Sequence, residues 1–293
     1  MKTRKKRSVF PLINGIFLCL IGILCLYPML YIVFASLSEP AAIMKHTGLL
    51  VAPLGFTLEG YGLAFKNPNI LTGYANTIFY VVVGTVLSLI VTAAGAFVTS
   101  RKDALLARPI MLAVVFTMYF SGGLIPLYLL VNSLGLYNTR MAIILVGLVN
   151  TWNLIVMRTS FLGVPDSLEE SAKIDGATPL RIFTSIYLPL SKPMLATMTL
   201  FYGVGNWNSW FNAMIFLQDR EKFPLQLIMR EILIANDMSS MTNMNTVGTY
   251  SNDMYQVLVK YSVVVIATLP ILCIYPFLQR YFIKGVMVGA IKG

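Results

Sequence analysis

Asparagine and tryptophan recur together at two places inside otherwise apolar stretches of the sequence. They are Asn150, Trp152, Asn153, Asn206, Trp207, Asn208 and Trp210. Indole rings stack on sugar faces and amides pair with hydroxyls, and buried polar groups are costly unless they are paired or line a wet cavity. The pattern predicts a translocation path lined by asparagine and tryptophan. Two alternatives stay open: the tryptophans can belong to an aromatic belt at the membrane surface, and the asparagines can bond neighbouring helices.

Catalytic chemistry has few residues available in this chain. His46 is the only histidine, and the three cysteines, Cys19, Cys25 and Cys273, lie in apolar segments without metal-ligand spacing. One loop histidine supplies neither a histidine metal cluster nor a Ser–His pair, which disfavours a membrane enzyme. A phosphate loop of the form G-x-x-x-x-G-K-S/T does not occur, so the chain is not expected to hydrolyse ATP. We therefore expect no catalytic residue, no metal site and no cofactor in this chain.

The elements that carry these residues are expected to be membrane helices in a single domain, residues 1–293. Hydrophobic residues make up 57% of the sequence and charged residues only 12%, against roughly 25% charged in soluble proteins. Six apolar stretches are long enough to cross about 30 Å of hydrocarbon as helices. The predicted spans are about 11–37, 73–100, 109–131, 139–163, 193–217 and 257–283. The basic start is also typical of a signal peptide, but the first apolar run is too long for one.

The charged residues predict the orientation of these spans. Lys and Arg are concentrated in the N-terminal ten residues, in the loops after the second and fourth spans, and in the C-terminal tail. The positive-inside rule then places both termini in the cytoplasm, and the net charge of +10 reflects membrane topology rather than nucleic-acid binding. All 12 acidic residues lie outside the predicted spans. Ion-driven carriers place ionisable groups within the membrane, so this distribution disfavours a secondary transporter.

The cytoplasmic segment 164–192 has the clearest local signals. Asp166 or Ser167 can cap a short helix, Gly176 lies where a left-handed C-terminal turn is expected, and Thr178 can cap a second helix. The sequence predicts two short helices joined by a glycine turn at the membrane surface. From these signals alone, an ordinary interfacial connector is the alternative.

The same segment resembles the EAA loop of binding-protein-dependent ABC importer permeases. The residues that carry the resemblance are Glu170, Ser171, Ala172, Asp175, Gly176, Ala177, Phe183, Ile186, Leu188, Pro189 and Pro193. The family pattern is E-A-A, D-G-A, I-x-L-P and a later P, and the one departure, Ser171 for alanine, exchanges one small residue for another. The tail 279–293 resembles the ending of the carbohydrate-uptake permeases. With the six-span plan the resemblance covers nearly the whole chain, which is most similar to the branch for alginate and rhamnogalacturonan oligosaccharides.

The resemblance implies a type I ABC importer permease fold in the bacterial cytoplasmic (inner) membrane. It implies that an oligosaccharide is moved by alternating access, together with a homologous second permease subunit, and that an extracytoplasmic solute-binding protein delivers it. Two cytoplasmic ATPase subunits would bind ATP and Mg and would receive the loop as a coupling helix. The residues implied in this coupling are Glu169, Glu170, Ala172, Asp175, Gly176 and Ala177. The outer segments 38–72 and 218–256 are either contacts for the binding protein or plain loops.

Overall fold

A computed structural model describes residues 10–234, 257–274 and 276. The first helices are α1 (Phe10–Ser36), α2 (Pro40–Lys45), α3 (Glu59–Lys66), α4 (Pro68–Ser100), α5 (Ala107–Tyr119), α6 (Leu124–Ser133), α7 (Arg140–Val146) and α8 (Thr151–Leu162). They are followed by α9 (Asp166–Ile174), α10 (Pro179–Ile182), a π-helix (Phe183–Tyr187), α11 (Leu188–Leu190), α12 (Lys192–Trp207), α13 (Phe211–Phe216), a 3-10 turn (Arg220–Lys222), α14 (Leu225–Ile234) and α15 (Val257–Ile274). The predicted all-α class is confirmed.

Some predicted features lie outside the described residues. They are most of the basic N-terminal run, the tail 279–293 and residues 235–256 of the second outer segment.

The chain divides into two compact units, and the first holds residues 1–67 with 232–268. The buried core of its described part is formed by Ala35, Ile43 and Leu50. Tyr31 of α1 meets Tyr261 of α15 edge to face, with ring centroids 6.1 Å apart.

The second unit holds residues 68–231 with 269–293, and α4 is its central helix. α8 and α12 pack on α4, where Ala93 and Ala96 let the helices approach closely. The buried core residues are Ala93, Ala96, Phe97, Met157, Phe161, Ile182, Tyr187, Met198 and Tyr202. This core extends from the helices into the segment 164–192, so the segment is built onto the helix bundle.

Three of the described helices, α1, α4 and α15, are long and apolar enough to cross a membrane. α7 and α8 pass the same test together, although they are bent by 53° at the break between them. The described residues therefore contain three such helices, or four if the bent pair is one span. The predicted spans 11–37 and 73–100 correspond to α1 and α4. The span 257–283 begins with α15, and residues 277–283 lie outside the described ones.

Two other predicted spans are divided by short breaks. The span 109–131 is divided between α5 and α6 by residues 120–123, and Gly123, the residue before α6, has a φ of +85°, a value that a helix does not contain. The span 193–217 contains α12 and α13, separated by residues 208–210. The Asn208 side chain binds the Val204 carbonyl at 3.0 Å, because asparagine competes for the backbone at helix ends. The six-span count stays a prediction.

Candidate coupling loop and substrate path

The segment 164–192 contains the two short helices and the glycine turn that the sequence predicts. At the end of α9, Gly176 has a φ of +73°, and the Ala177 amide donates to the Ala172 carbonyl at 2.9 Å. This is a Schellman ending, which needs a left-handed residue and satisfies the last carbonyls of the helix. Thr178 caps α10 by accepting a hydrogen bond from a backbone amide three residues later. The chain direction between the two helices is therefore set locally.

The predicted cap of α9 is wrong. Pro165 occupies the capping position in extended backbone, without a side-chain hydrogen bond, and Asp166 is already the first helical residue. The Asp166 carboxylate instead accepts a hydrogen bond from Lys102 Nζ at 2.6 Å. Asp166 therefore stands one position too late to cap the helix, and its side chain forms an exposed ion pair with the neighbouring loop.

Glu169 is the centre of a charge cluster that ties α9 to the end of α4. Its carboxylate lies 2.9 Å from Arg101 Nη2 and 2.9 Å from Lys173 Nζ, and it accepts a hydrogen bond from the Tyr187 hydroxyl at 2.7 Å. Arg101 also binds Asp103 through two parallel hydrogen bonds of 3.0 and 2.9 Å, and Lys173 lies 3.1 Å from Asp103. We call these five residues the Glu169 cluster. The Arg101 and Glu169 side chains are only 11% and 13% exposed.

Aromatic packing fixes the Glu169 cluster to the helix core. The π-helix places Tyr187 against Phe97 of α4 and Phe161 of α8, with centroid distances of 5.0 and 5.4 Å. Arg101 lies 5.2 Å above the Phe97 ring. Both ends of the Tyr187 side chain are therefore held, the ring by the helix core and the hydroxyl by Glu169. α9 is therefore attached to α4 and α8 through one continuous set of side-chain contacts.

The predicted coupling residues divide into two sets. Glu169 faces its own chain, and Ala172 and Ala177 pack on the core of the second unit. Glu170 and Asp175 are exposed, and no side-chain hydrogen bond or ion pair engages either of them within the described part of the chain. Gly176 is also exposed, and no atom lies within 4 Å of the position that its Cβ would take. The second set is free to meet another molecule.

The first Asn–Trp group lies at the break between α7 and α8. The Asn150 side-chain oxygen caps α8 by accepting a hydrogen bond from the backbone N–H of Asn153 at 3.0 Å. The backbone N–H of Asn150 donates to the Tyr202 hydroxyl at 3.1 Å. The Tyr202 hydroxyl also lies 2.7 Å from Thr92 Oγ1. Asn153 is buried, whereas the Trp152 side chain is 57% exposed. The break is thus held against α12 and leaves one indole open.

The second group begins near the end of α12, where Asn206 and Trp207 are engaged in packing. Asn206 Nδ2 donates to Thr85 Oγ1 of α4 at 3.3 Å. Trp207 is only 7% exposed, and its ring meets Tyr74 edge to face at 6.0 Å. These contacts are those expected of asparagine bonding and aromatic packing between helices.

The remaining two residues of the second group lie in the break after α12. Asn208 is exposed, and Trp210 is half-buried. The Arg230 guanidinium lies 4.5 Å above the Trp210 ring, which is within cation–π distance. The break therefore places an indole against a cation, and the Asn208 side chain, two residues earlier in the chain, is bonded to the Val204 carbonyl of α12.

A family model described as "Binding-protein-dependent transport system inner membrane component" matches residues 94–288, which include both Asn–Trp groups and the whole coupling segment. The chain belongs to this family. Protein LplC of Bacillus subtilis (strain 168) is 40% identical to it, over 100% of this permease and 98% of LplC. The polygalacturonan/rhamnogalacturonan transport system permease protein YtcP of the same organism is 38% identical, over 98% of this permease and 100% of YtcP.

A solved structure is also similar to the permease. It is a chain of a bacterial ABC transporter involved in the import of the acidic polysaccharide alginate, with a TM-score of 0.86 and 34% identity over 96% of the permease and 99% of that chain. The fold is therefore that of a type I ABC importer permease. The permease is a non-enzymatic membrane component of an ABC importer for carbohydrates. The resemblance of residues 170–193 to this family is confirmed.

The environment of the Glu169 cluster keeps it ionised near neutral pH. Burial raises the pKa of Glu169, but the hydrogen bonds from Tyr187 and Lys173 and the charge of Arg101 outweigh it, and the pKa is below its usual value. Hydrogen bonds from Arg101 and Lys173 hold the pKa of Asp103 far below the usual range. Burial and the bond to Glu169 raise the pKa of Tyr187. The cluster thus contains two carboxylates, two cations and a neutral phenol.

Sequence reasoning missed most partners of Glu169 in the permease. Lys173 could have been found, because a basic residue four positions after a glutamate is its neighbour on a helix. Arg101 and Asp103 are separated from Glu169 by more than 60 residues, and no local pattern links them. The Arg230–Trp210 contact was missed for the same reason.

Proposed function

We propose that this permease forms half of a transmembrane pore that imports acidic oligosaccharides by alternating access, with a homologous permease as the other half. Six spans place both termini in the cytoplasm. Two cytoplasmic ATPase subunits bind ATP and Mg, receive α9 as the coupling helix and drive the cycle. An extracytoplasmic binding protein delivers the oligosaccharide to the outer face. No nucleotide, metal or other cofactor is bound by the permease itself.

The observation that carries this proposal is the two-sided construction of α9. Its inner side is bonded to α4 and α8 through the Glu169 cluster. Its outer side presents Glu170, Asp175 and Gly176 to solvent. A helix that is to transmit force needs a rigid attachment on one side and a free contact surface on the other. We assign Glu170 and Asp175 to the ATPase contact and Glu169 to the attachment.

The substrate assignment is supported by the relatives and by the helix breaks. YtcP is named for polygalacturonan and rhamnogalacturonan, and the solved neighbour for alginate, all of which are acidic polysaccharides. Non-helical backbone at membrane depth is tolerated only where it is buried in protein or lines a water-filled cavity. The path therefore uses the exposed or half-exposed groups at the two breaks, Asn150, Trp152, Asn208 and Trp210. Asn153, Asn206 and Trp207 hold the helices that carry them.

The test is a crosslinking experiment combined with an uptake assay. A photo-crosslinking amino acid in place of Glu170 is expected to capture the ATPase in intact membranes, whereas the same probe in place of Glu59, an exposed residue on the opposite predicted side, is not. Glu170→Gln is expected to abolish ATP-driven uptake while the permease still inserts. Capture of the ATPase from both positions, or normal uptake by Glu170→Gln, would contradict the coupling assignment. Uptake that persists without any ATPase would favour an ion-driven transporter instead.

A further inference from the structure

Four basic side chains of the second unit lie on the side predicted to face outwards. They are Arg140, Arg220, Lys222 and Arg230. Two of them are neutralised by neighbouring acids: Arg220 lies 2.8 Å from Glu231, and Lys222 lies 2.8 Å from Asp219. The other two have no carboxylate within ion-pair distance in residues 10–234, 257–274 and 276. Of these two, Arg140 is exposed and Arg230 is partly buried. A partly buried cation without an acidic partner is uncommon and is a reason to look for a ligand.

Arg140 is accounted for by the fold. Its Nη2 donates to Asn76 Oδ1 at 2.9 Å, and its guanidinium lies 5.2 Å from the Phe79 ring. The Asn76 amide in turn binds the Glu221 and Phe223 carbonyls, at 2.6 and 3.1 Å. Arg140 therefore completes a network that holds the 3-10 turn on α4.

Arg230 has no such network in the part of the chain that the structure describes. Its guanidinium lies 4.5 Å above the Trp210 ring, and its one hydrogen-bond contact there is from Nη1 to the Met214 sulfur at 3.4 Å, a weak acceptor. A guanidinium whose carbon lies over an indole ring still presents an edge of N–H donors that another partner can bind. Such an edge matches a carboxylate, which it binds through two parallel hydrogen bonds.

The neighbours of this cation are suited to a sugar. Trp210 belongs to the break after α12, two residues from the exposed Asn208 amide. An indole packs against the C–H face of a pyranose ring, an amide pairs with its hydroxyls, and a guanidinium pairs with a carboxylate. The Asn208 side chain already donates to the Val204 carbonyl, so the indole and the guanidinium are the two groups in contact with each other. Together these two groups match a uronate unit, whereas a neutral sugar would leave the cation unpaired.

We propose that Arg230, held over Trp210, binds the carboxylate of a uronate unit in the entering oligosaccharide and sets the preference of the importer for acidic over neutral sugars. This inference rests on the proposed import function. It assigns the preference to the permease in addition to any selection made by the binding protein. Arg230 therefore acts on the substrate, and Trp210 acts by orienting Arg230 and by contacting the sugar ring.

The test measures uptake by the complete importer, with its binding protein, of trigalacturonate and of its fully methyl-esterified form. The ester lacks the carboxylate charge and carries an added methyl group on each uronate, and this difference in size is the same for every variant compared. Arg230→Gln is expected to lower the ratio of acid to ester uptake by about tenfold or more relative to the unmodified importer, because a charge-assisted pair is lost. Arg230→Lys keeps the charge but loses the planar edge, and is expected to recover part of the ratio. The binding protein is the same throughout, so its own preference cancels in the comparison between variants.

Arg220→Gln is the matched control, because Arg220 is paired with Glu231 and is expected to leave the ratio unchanged. Equal loss of both substrates in Arg230→Gln, or no change in either, would overturn the assignment of Arg230 to substrate. Equal shifts of the acid-to-ester uptake ratio in the Arg220 and Arg230 variants would also overturn it, because long-range electrostatic attraction by the basic side chains would then explain the effect. If the unmodified importer takes up neither compound, the proposal of an acidic substrate fails first, and this outcome is distinct from the others.

Discussion

Replacing Glu169 by glutamine tests whether the Glu169 cluster holds the coupling segment in place. The substitution keeps the shape of the side chain but removes the charge that Arg101, Lys173 and Tyr187 contact. Breaking a buried ion pair costs about 3–5 kcal/mol. Because Arg101 keeps its two hydrogen bonds to Asp103, the lower end, about 3 kcal/mol, applies here. At roughly 2–4 °C per kcal/mol, the unfolding midpoint should fall by about 6–12 °C.

The assay is thermal unfolding of the purified permease in mild detergent, with Glu221→Gln as the control. Glu221 is exposed and its carboxylate makes no ion pair with any described residue, so the control should stay within about 0.5 kcal/mol of the unmodified protein. Glu169→Gln should also cost much less in an Arg101→Gln background than alone, because the two residues share one interaction. Additive effects of the two substitutions, or a midpoint for Glu169→Gln equal to that of the control, would refute the reasoning.

Three further outcomes are expected from the same construction. Because folding lowers the pKa values of Glu169 and Asp103, the stabilisation that these carboxylates provide is present above about pH 4 and is lost as the pH falls through the folded-state values. Unfolding midpoints measured from pH 7 to pH 3 should therefore fall more steeply in the unmodified protein than in Glu169→Gln. Gly73→Ala should lower the free energy of chemical unfolding by about 1–3 kcal/mol, because its Cβ would meet the Leu225 backbone at 3.2 Å. Gly205→Ala should leave that free energy unchanged or raise it, because no atom lies within 4 Å of the position of its Cβ. The new methyl group of Gly176→Ala meets no neighbouring atom, but the φ of +73° should lower the free energy of unfolding by about 1–2 kcal/mol and should reduce uptake. Asparagine tolerates this backbone conformation, so Gly176→Asn should have a smaller effect on both stability and uptake.

Features that depend on neighbouring residues in the chain could be predicted from the sequence. The turn at Gly176 and the cap at Thr178 follow from residue types at fixed offsets, and both occur as predicted. The side-chain cap of α9 does not form, because Pro165 takes the capping position and Asp166 is already the first helical residue. Residue type suggests which side chains can cap a helix but does not fix the residue at which the helix begins.

Features that depend on distant contacts could not be predicted in this way. Glu169 and Glu170 are adjacent acids in one helix, and only the packed structure separates the attached residue from the free one. In the same way, apolar length predicted an uninterrupted helix over 193–217. The hydropathy pattern does not show that α12 ends at Trp207, where the next residue, Asn208, bonds back to the helix backbone.

The Glu169 cluster also limits how permeases of this family can be recombined. Segment 164–192 contributes Glu169, Lys173 and Tyr187, but Arg101 and Asp103 come from the chain after α4. A graft of this segment alone into another permease would bring Glu169 and Lys173 without the Arg101 and Asp103 side chains that they bind. We expect a functional chimera to require exchange of residues 101–103 together with the segment, because the two stretches share the ion pairs of the cluster.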